Sequence, residues 1–249
     1  MNDPTNPAAA RGLRAWLAAG ETLIGAWSTL PSTAAASLIA RAGGIDYFVT
    51  DLQHGSAGEA DLPGICAAVS SQGVTPLARV RSSTVGDIGR ALDLGAHGVF
   101  LPNVYGVEHV AEVLGFCRYA PTGVRSYGPL MPGAEDPLRF IVLETREALG
   151  DLDQILDLDG LDGVYIGPVD LACALGHAAT PHDKHMAGII ADVVRRCIDR
   201  GVAVGVHTGE GHTAAEYRKG GARLVNALTD AVVLTDAAVQ HTRLARGTR

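Results

Sequence analysis

Short runs rich in β-branched and aromatic residues alternate along this chain with longer stretches of helical character, and this alternation limits the fold more than any other feature. It is typical of βα units packed around a parallel sheet. Eight such runs within 249 residues match a closed (β/α)8 barrel better than an open, doubly wound sheet. We therefore predict an α/β protein with a single (β/α)8 TIM barrel domain over residues 1–249. The predicted strands lie near residues 22–29, 45–50, 75–80, 98–102, 140–144, 163–167, 202–207 and 223–228.

Between these runs, apolar residues recur at helical spacing. The segment Arg11–Ala19 predicts an extra helix ahead of the first strand. The stretch Arg118–Arg139 contains four prolines, so we expect a long connection there, and a mobile lid is one role for it. The other predicted helices are Thr33–Ala42, Glu59–Ser71, Thr84–Leu94, Val107–Cys117 and His185–Arg200.

The composition narrows the class of partner. The formal net charge is −7 and no segment is dense in lysine or arginine, so the sequence offers no electrostatic basis for binding nucleic acid or an anionic membrane. We expect a small-molecule ligand instead. The four cysteines are widely spaced, and the N-terminus does not resemble a secretory signal, which together predict a cytoplasmic protein. No apolar run reaches membrane-spanning length.

Polar residues that directly follow a predicted strand are candidate site residues. In a (β/α)8 barrel the chemistry takes place at the strand ends, because the loops that follow the strands converge on one face. These residues are Asp51 and His54 after the second strand, Arg79 at the end of the third, Glu144 after the fifth, Asp170 after the sixth and His207 after the seventh.

Glu144 and Asp170 follow consecutive strands, so their carboxylates should lie at neighbouring positions on the barrel rim. Two carboxylates, together with water and a chelating 2-oxo acid, would form an octahedral site for Mg2+ or Mn2+. Alternatively, each acid stabilises the N-terminus of the helix that follows it. The pattern alone leaves both interpretations open.

The remaining candidates also have two interpretations each. Arg79 could clamp a ligand carboxylate or form a structural ion pair. His54 and Asp51 match an imidazole and an orienting acid in one loop, although loop histidines are common. His207 either lines the pocket or faces the barrel interior.

Lysine usage excludes one mechanism. The only lysines are Lys184 and Lys219, both in polar stretches of the predicted outer helical layer. A Schiff-base aldolase needs a desolvated lysine on a barrel strand. If the barrel stabilises a carbanion next to a carbonyl, it therefore needs a metal as the electron sink.

Three segments carry a resemblance that covers nearly the whole chain: LETREA (Leu143–Ala148), GVYIGPVDLA (Gly163–Ala172) and IDYFVTDLQH ahead of PLARV (45–80). In this order and spacing the chain resembles the HpcH/HpaI aldolases, a family of metal-dependent pyruvate aldolases. The resemblance implies a carbon-carbon lyase that cleaves or forms a 4-hydroxy-2-oxo acid through a metal-bound pyruvate enolate. It implies Mg2+, Mn2+ or Co2+ as the cofactor, and a 2-oxo acid and an aldehyde as small-molecule partners.

The resemblance also implies roles for individual residues. Glu144 and Asp170 match the metal ligands, and Arg79 matches the arginine near the pyruvate carbonyl. His54 and Asp51 match the acid/base histidine and its partner acid.

Further implied roles concern the substrate and a neighbouring subunit. Asp93 resembles an acid that approaches the histidine from that subunit, and Trp27 matches an aromatic residue close to the site. The backbone around Gly167, Val169 and Asp170 would hold the pyruvate carboxylate. Members of the family are typically hexamers, trimers of dimers that exchange their last helix, so residues 230–246 are the expected swapped helix.

Two departures from the family leave the reaction open. Val142 stands two residues before Glu144, where the family often has glutamine, and the stretch between GVRSYGP and LETREA is shorter. One alternative is therefore a decarboxylase or a specialised condensing enzyme that uses the same enolate. A second alternative is a non-catalytic barrel that binds a 2-oxo acid.

Overall fold

A computed structural model describes residues 8–131, 133–134, 136–177 and 184–247 of the chain. Within them, eight parallel strands pair in chain order, and the last strand pairs with the first to close a barrel. This confirms the predicted (β/α)8 TIM barrel, and every strand begins and ends within two residues of its predicted ends. The strands are β1 (Leu23–Ser28), β2 (Tyr47–Asp51), β3 (Thr75–Arg79), β4 (Gly98–Leu101), β5 (Leu138–Leu143), β6 (Gly163–Ile166), β7 (Ala203–Val206) and β8 (Leu224–Thr229).

Helices follow the strands, and polar side chains cap the first turn of some of them. Ser32 accepts a hydrogen bond from the backbone N–H of Ala35, for example, and Thr84 accepts one from Asp87. None of the described helices is long and apolar enough to cross a membrane. The helices are α1 (Ala8–Ala18), α2 (Thr33–Ala42), α3 (Leu62–Ser70), α4 (Val85–Asp93), α5 (Gly106–Phe116), α6 (Arg146–Gly150), α7 (Leu152–Leu156), α8 (Pro168–Leu175), α9 (Lys184–Asp199), α10 (Gly211–Lys219) and α11 (Asp230–Arg246).

Aromatic side chains fill the barrel interior. The rings of Trp27 and Tyr165 stack with centroids 5.5 Å apart, and Phe100 packs edge-on against Tyr165 at 4.9 Å. Gly205 on β7 provides the space for this cluster, because a Cβ at that position would lie 2.6 Å from the Tyr165 ring. The interior is therefore a packed core, and its residues nearest the C-terminal ends of the strands form the floor of any site there.

The N-terminal extra helix is confirmed as α1, and it closes the end of the barrel where the strands begin. Leu13 packs into the interior aromatic cluster. Arg14 forms an ion pair with Asp162, with Nε and Oδ1 2.5 Å apart, and donates to the carbonyl of Pro137. Charged and apolar contacts thus anchor α1 beneath the barrel.

The long connection from α5 to β5 lies at this same end, because it leads into the start of a strand. Arg125 within it pairs with Asp93, the last residue of α4, at 2.6 Å. The backbone N–H groups of Leu130 and Met131 donate to the carbonyl of Asp93. The predicted role of this connection as a lid is therefore wrong for the chain's own strand ends, which lie at the opposite face.

The C-terminal helix α11 begins on the barrel and then leaves it. The buried carboxylate of Asp230 accepts hydrogen bonds from the Ser28 hydroxyl at 2.6 Å and from the backbone N–H groups of Thr29 and Leu30. Every residue from 232 to 247 is exposed. The predicted helix over 230–246 is thus present, and its body finds little cover within its own chain.

Candidate active site

The C-terminal ends of the strands surround a cavity of about 80 Å3. Sites for drug-sized ligands measure roughly 300–1,000 Å3, so this cavity suits a molecule of only a few heavy atoms. Its walls come from β1, β3, β5, β6 and β7 and from the start of α8. The lining residues are Trp27, Arg79, Val142, Glu144, Tyr165, Gly167, Pro168, Val169, Asp170 and His207.

Glu144 lies directly after β5 with its side chain turned into the protein, and the residue is only 6% exposed. Its Oε1 accepts a hydrogen bond of 2.6 Å from the backbone N–H of Asn103, a residue in the left-handed conformation that asparagine tolerates. Burial raises the pKa of Glu144, and the nearby charge of Asp170 raises it further. The two carboxylates therefore repel each other when no cation lies between them.

Asp170 is the third residue of α8 and is exposed. Gly167, just before the helix, leaves open the space beside Glu144, because a Cβ there would lie 3.3 Å from Glu144 Oε2. Within the described residues, the carboxylate of Asp170 accepts no hydrogen bond. It is therefore available to a ligand in the cavity.

The alternative in which each acid stabilises the helix that follows it is wrong for Glu144 and holds for Asp170 only as a charge in the first turn. The residue that caps α6 is Thr145, whose hydroxyl accepts from the backbone N–H of Ala148. The cap position of α8 is Gly167, which has no side chain to contribute. Asp170 still lies in the first turn of α8, where a negative charge is favourable.

The pair of acids fits a divalent cation that keeps water ligands. In the part of the chain that the structure describes, no three His, Cys, Asp or Glu side chains converge as a closed metal site would require. Mg2+ is held in many proteins by one or two carboxylates together with water and substrate oxygens. Two hard oxygen donors beside an open cavity, with the charge of Asp170 raising the pKa of Glu144, match this type of site.

Arg79, the last residue of β3, lies opposite Asp51 in the parallel pairing of β2 and β3. Its Nε donates to Asp51 Oδ1 at 2.9 Å, and its Nη2 bonds to Oδ2. Trp27 donates its indole N–H to the same Oδ2 at 3.0 Å. Burial raises the pKa of Asp51, but the bonds and charge of Arg79 outweigh burial and lower it overall. Asp51 therefore stays ionised and fixes Arg79 at the cavity wall.

His54 does not form the predicted contact with Asp51 through its imidazole. The carboxylate of Asp51 instead accepts a hydrogen bond of 3.1 Å from the backbone N–H of His54, while the His54 side chain is exposed. The expected pairing of imidazole and acid is therefore wrong within this chain, since both oxygens of Asp51 already bond to Arg79, Trp27 and the loop backbone. Neither His54 nor Asp51 lines the cavity.

Asp93 lies far from the cavity of its own chain. It ends α4 at the face where the strands begin, and it pairs there with Arg125. The structure thus brings together Trp27, Arg79, Glu144, Gly167, Val169 and Asp170 and leaves His54, Asp51 and Asp93 outside the lining.

His207 lines the cavity, which settles the choice left open by the sequence. Its ring packs edge-on against Trp27 at 4.8 Å, and its Nδ1 lies 3.4 Å from the hydroxyl of Tyr165. Burial lowers the pKa of His207 to about 4, with a further contribution from Arg79. The imidazole is therefore neutral at pH 7. Nothing in the sequence marks Tyr165 as a site residue, because it lies within a predicted strand and not after its end.

The chain is similar to proteins of one known family. The profile of the HpcH/HpaI aldolase/citrate lyase family matches residues 23–237. A hydroxypyruvate/pyruvate aldolase of Rhizorhabdus wittichii is 33% identical over 89% of this chain and 93% of its own. A 4-hydroxy-2-oxo-heptane-1,7-dioate aldolase of Klebsiella pneumoniae is 31% identical over 89% of each chain.

A solved structure extends the likeness to three dimensions. A protein described as a member of this aldolase/citrate lyase family, from Burkholderia cenocepacia, superimposes with a TM-score of 0.87 at 25% identity. The alignment covers 94% of this chain and 99% of that one. The chain described here belongs to the HpcH/HpaI aldolase/citrate lyase family.

Proposed function

We propose that the protein is a divalent-metal-dependent aldolase that cleaves or forms 4-hydroxy-2-oxo acids through the enolate of a small 2-oxo acid such as pyruvate. The observation that carries this proposal is the presence of Glu144, Asp170 and Arg79 around one cavity of about 80 Å3. The aldolases among its relatives support the same reaction class.

Glu144 and Asp170 would hold the cation, which is Mg2+, Mn2+ or Co2+ by the chemistry of its ligands. When bound, the cation supplies positive charge that stabilises the negative charge developing on the keto oxygen of the substrate. Arg79 supplies a second positive group. Because its Nε and Nη2 bond to Asp51, its Nη1 remains to donate to that oxygen.

The start of α8 would bind the carboxylate of the 2-oxo acid. The first backbone bond of this helix runs from the N–H of Leu171 to the carbonyl of Gly167, so the N–H groups of Val169 and Asp170 have no partner within the helix. Pro168 ahead of them has no N–H to offer. Donors at a helix N-terminus favour an anion.

His54 remains the proposed acid/base residue, although it lies outside the small cavity. A proton must move to or from the oxygen on C4, which belongs to the aldehyde half of the molecule and extends beyond the space for the 2-oxo acid. An exposed imidazole in the loop after β2 can act at that position. Asp93 would assist His54 from a neighbouring copy, because it lies at the wrong end of its own barrel.

The assembly we propose is a homo-oligomer, a hexamer built from dimers that exchange α11. The exposure of this helix supports the proposal, since its apolar residues Val232, Val233, Leu234, Val239 and Leu244 are between 42% and 66% exposed in the single chain. Exposed apolar groups of this extent are typical of a protein interface.

Solvent exchange of the methyl protons of pyruvate tests the proposed reaction without knowledge of the aldehyde. Followed by NMR in D2O, exchange should require Mg2+ or Mn2+ and should stop when the metal is chelated. Glu144→Gln should lower the rate by about 100-fold or more, because it removes one charged ligand. Glu147→Gln is the matched control: Glu147 lies in the same segment but is exposed on α6, so its rate should stay at the wild-type level.

Two outcomes would count against the proposal. Exchange at the wild-type rate by Glu144→Gln with unchanged metal affinity would remove Glu144 from the site, and the lack of exchange by the wild type would remove the enolisation step. Incubation with oxaloacetate, and separately with pyruvate and a panel of aldehydes, then distinguishes a decarboxylase from an aldolase by the products.

A further inference from the structure

A single backbone N–H group holds Glu144, and the residue that carries it has an unusual conformation. Among the described residues, Asn103 is the only one other than glycine with a positive φ, at 52°. Its N–H donates to Oε1 of Glu144 at 2.6 Å, while its side chain is exposed and takes no part in this bond. Left-handed residues other than glycine are uncommon and cluster at functional sites, so this conformation points to a role.

The peptide unit between Pro102 and Asn103 is held on both of its edges. Its carbonyl oxygen accepts a hydrogen bond of 2.5 Å from the hydroxyl of Ser83, a buried residue in the β3–α4 loop. Its N–H group points the opposite way, as in any planar trans peptide, and donates to Glu144. The bond from Ser83 therefore fixes the direction of the Asn103 N–H.

A further hydroxyl holds the same loop on the other side of Asn103. Thr145, which follows Glu144 in the chain and is buried, donates from its hydroxyl to the carbonyl of Val104 at 2.6 Å. The β4–α5 loop is thus tied both to the β3–α4 loop and to the segment that carries the metal ligand. These bonds keep the N–H of Asn103 in place relative to the Glu144 carboxylate.

The bond to Oε1 determines which oxygen of Glu144 is left for a ligand. In the part of the chain that the structure describes, Oε2 accepts no hydrogen bond, and a Cβ at Gly167 in the cavity wall would lie 3.3 Å from it. A carboxylate with two free oxygens can rotate about its last bond and offer either of them. The N–H of Asn103 removes this freedom, so that Oε2 is presented in one orientation.

We propose that Asn103 and Ser83 are positioning residues for the metal ligand Glu144. Ser83 fixes the peptide unit, and the left-handed backbone of Asn103 directs the N–H to Oε1 and leaves Oε2 to the cation. Position 103 then matters for the φ that its residue allows and not for its side chain. This inference rests on the proposed function, because it assumes that Glu144 binds the cation.

Titration of the metal-free protein with Mn2+, followed by electron paramagnetic resonance, tests the role of Asn103. Asn103→Gly removes the side chain but adopts the left-handed conformation without strain, so its affinity should stay close to that of the wild type. Asn103→Val places a β-branched residue where φ must be positive, so the N–H should turn away from Glu144. The affinity should then fall by about tenfold or more, the usual effect of losing a group that orients a metal ligand.

Ser83 is tested with a milder pair of variants. Ser83→Ala removes the donor to the carbonyl of Pro102 and should lower the Mn2+ affinity by about fivefold, the effect of one hydrogen bond. Ser83→Thr keeps the hydroxyl and should restore the affinity. Ser82→Ala is the matched control, because the neighbouring hydroxyl bonds to Asp87 and not to the β4–α5 loop, and its affinity should not change.

Each result supports or overturns a stated role. Wild-type affinity in Asn103→Val, or an equal loss in Asn103→Gly, would overturn the role of the Asn103 backbone. Wild-type affinity in Ser83→Ala with lowered resistance to urea would show that Ser83 only stabilises the loop. If the wild type binds no Mn2+, the proposed metal site fails and the inference falls with it. Urea unfolding with a chelator present shows whether each variant folds, and if Asn103→Val does not, Ser83→Ala against Ser83→Thr decides the inference.

Discussion

Substituting Gly167 by alanine should weaken metal binding without weakening the fold. The backbone angles of Gly167, φ −96° and ψ 91°, are open to alanine, so the change introduces no backbone strain. The new Cβ would lie 3.3 Å from Glu144 Oε2, 3.4 Å from Glu144 Cβ and 3.5 Å from Val142 Cγ1. The distance to Oε2 is shorter than ordinary van der Waals contact, and the distance to Glu144 Cβ is at its lower limit. The Glu144 carboxylate must therefore move by a few tenths of an ångström.

The size of the effect follows from the tolerance of metal sites. Distances to a bound metal in a well-formed site are kept within about 0.2 Å, and changes to groups that orient the ligands cost about 10- to 100-fold in affinity. We therefore expect affinity for Mn2+ to fall by at least about tenfold in Gly167→Ala. The free energy of unfolding without metal should change by less than about 1 kcal/mol, because the lost freedom of the unfolded chain offsets the crowding.

Titration of the metal-free protein with Mn2+, followed by electron paramagnetic resonance, measures the affinity, and urea unfolding in the presence of a chelator measures the stability. Gly188→Ala is the control, since Gly188 lies within α9 with nothing within 4 Å of an added Cβ. This variant should gain stability by about 1 kcal/mol and keep its metal affinity. Wild-type affinity in Gly167→Ala would refute the placement of the cation beside Glu144 Oε2.

Three further predictions concern buried acids and the C-terminal helix. Asp51→Asn should lower the free energy of unfolding by about 3 kcal/mol at pH 7, since it leaves Arg79 without a charged partner. Because the folded-state pKa of Asp51 is lowered, this difference should be fully present above about pH 4 and should shrink as the pH falls further. Urea unfolding that gives an equal difference at pH 7 and pH 3 would contradict it. Asp230→Ala should cost about 2–4 kcal/mol by the same assay, because the backbone N–H groups at the start of α11 and in the β1–α2 loop lose their acceptor, and a loss below about 0.5 kcal/mol would contradict this. Leu234→Glu should dissociate the oligomer in light scattering whereas Asp236→Asn should not, and an unchanged mass for Leu234→Glu would show that α11 is not at an interface.

Local patterns in the sequence predicted the barrel well, because each βα unit carries its own signals. Runs of β-branched residues placed all eight strands, and Thr33–Ala42 was predicted to the residue. The positions of residues at the strand ends also predicted most of the polar residues that line the cavity, since in this fold the loops after the strands converge on one face of the barrel.

Contacts between elements were harder to predict than the elements. Asp51 lies three residues from His54 in the sequence, yet its partner is Arg79, which lies opposite it across the β2–β3 pairing. Pairing by position within neighbouring strands, in place of nearness along the chain, would have identified this contact. The lid assigned to Arg118–Arg139 failed for a similar reason, since a connection from helix to strand lies at the face opposite the site.

His207 shows a different limit. Its position after β7 marked it as a candidate, but its neutral state depends on burial against Trp27 and its orientation depends on Tyr165. Neither dependence is visible before the barrel closes, because the three residues lie on three separate strands or strand ends.

Binding of Mn2+ to the metal-free protein tests the central claim, that Glu144 and Asp170 hold a divalent cation, most directly. The wild type and Glu147→Gln should each bind one Mn2+ per chain, and added pyruvate should change the paramagnetic resonance spectrum of the bound ion. Glu144→Gln and Asp170→Asn should each lose about 100-fold or more in affinity while remaining folded. Wild-type affinity in both variants would contradict the account.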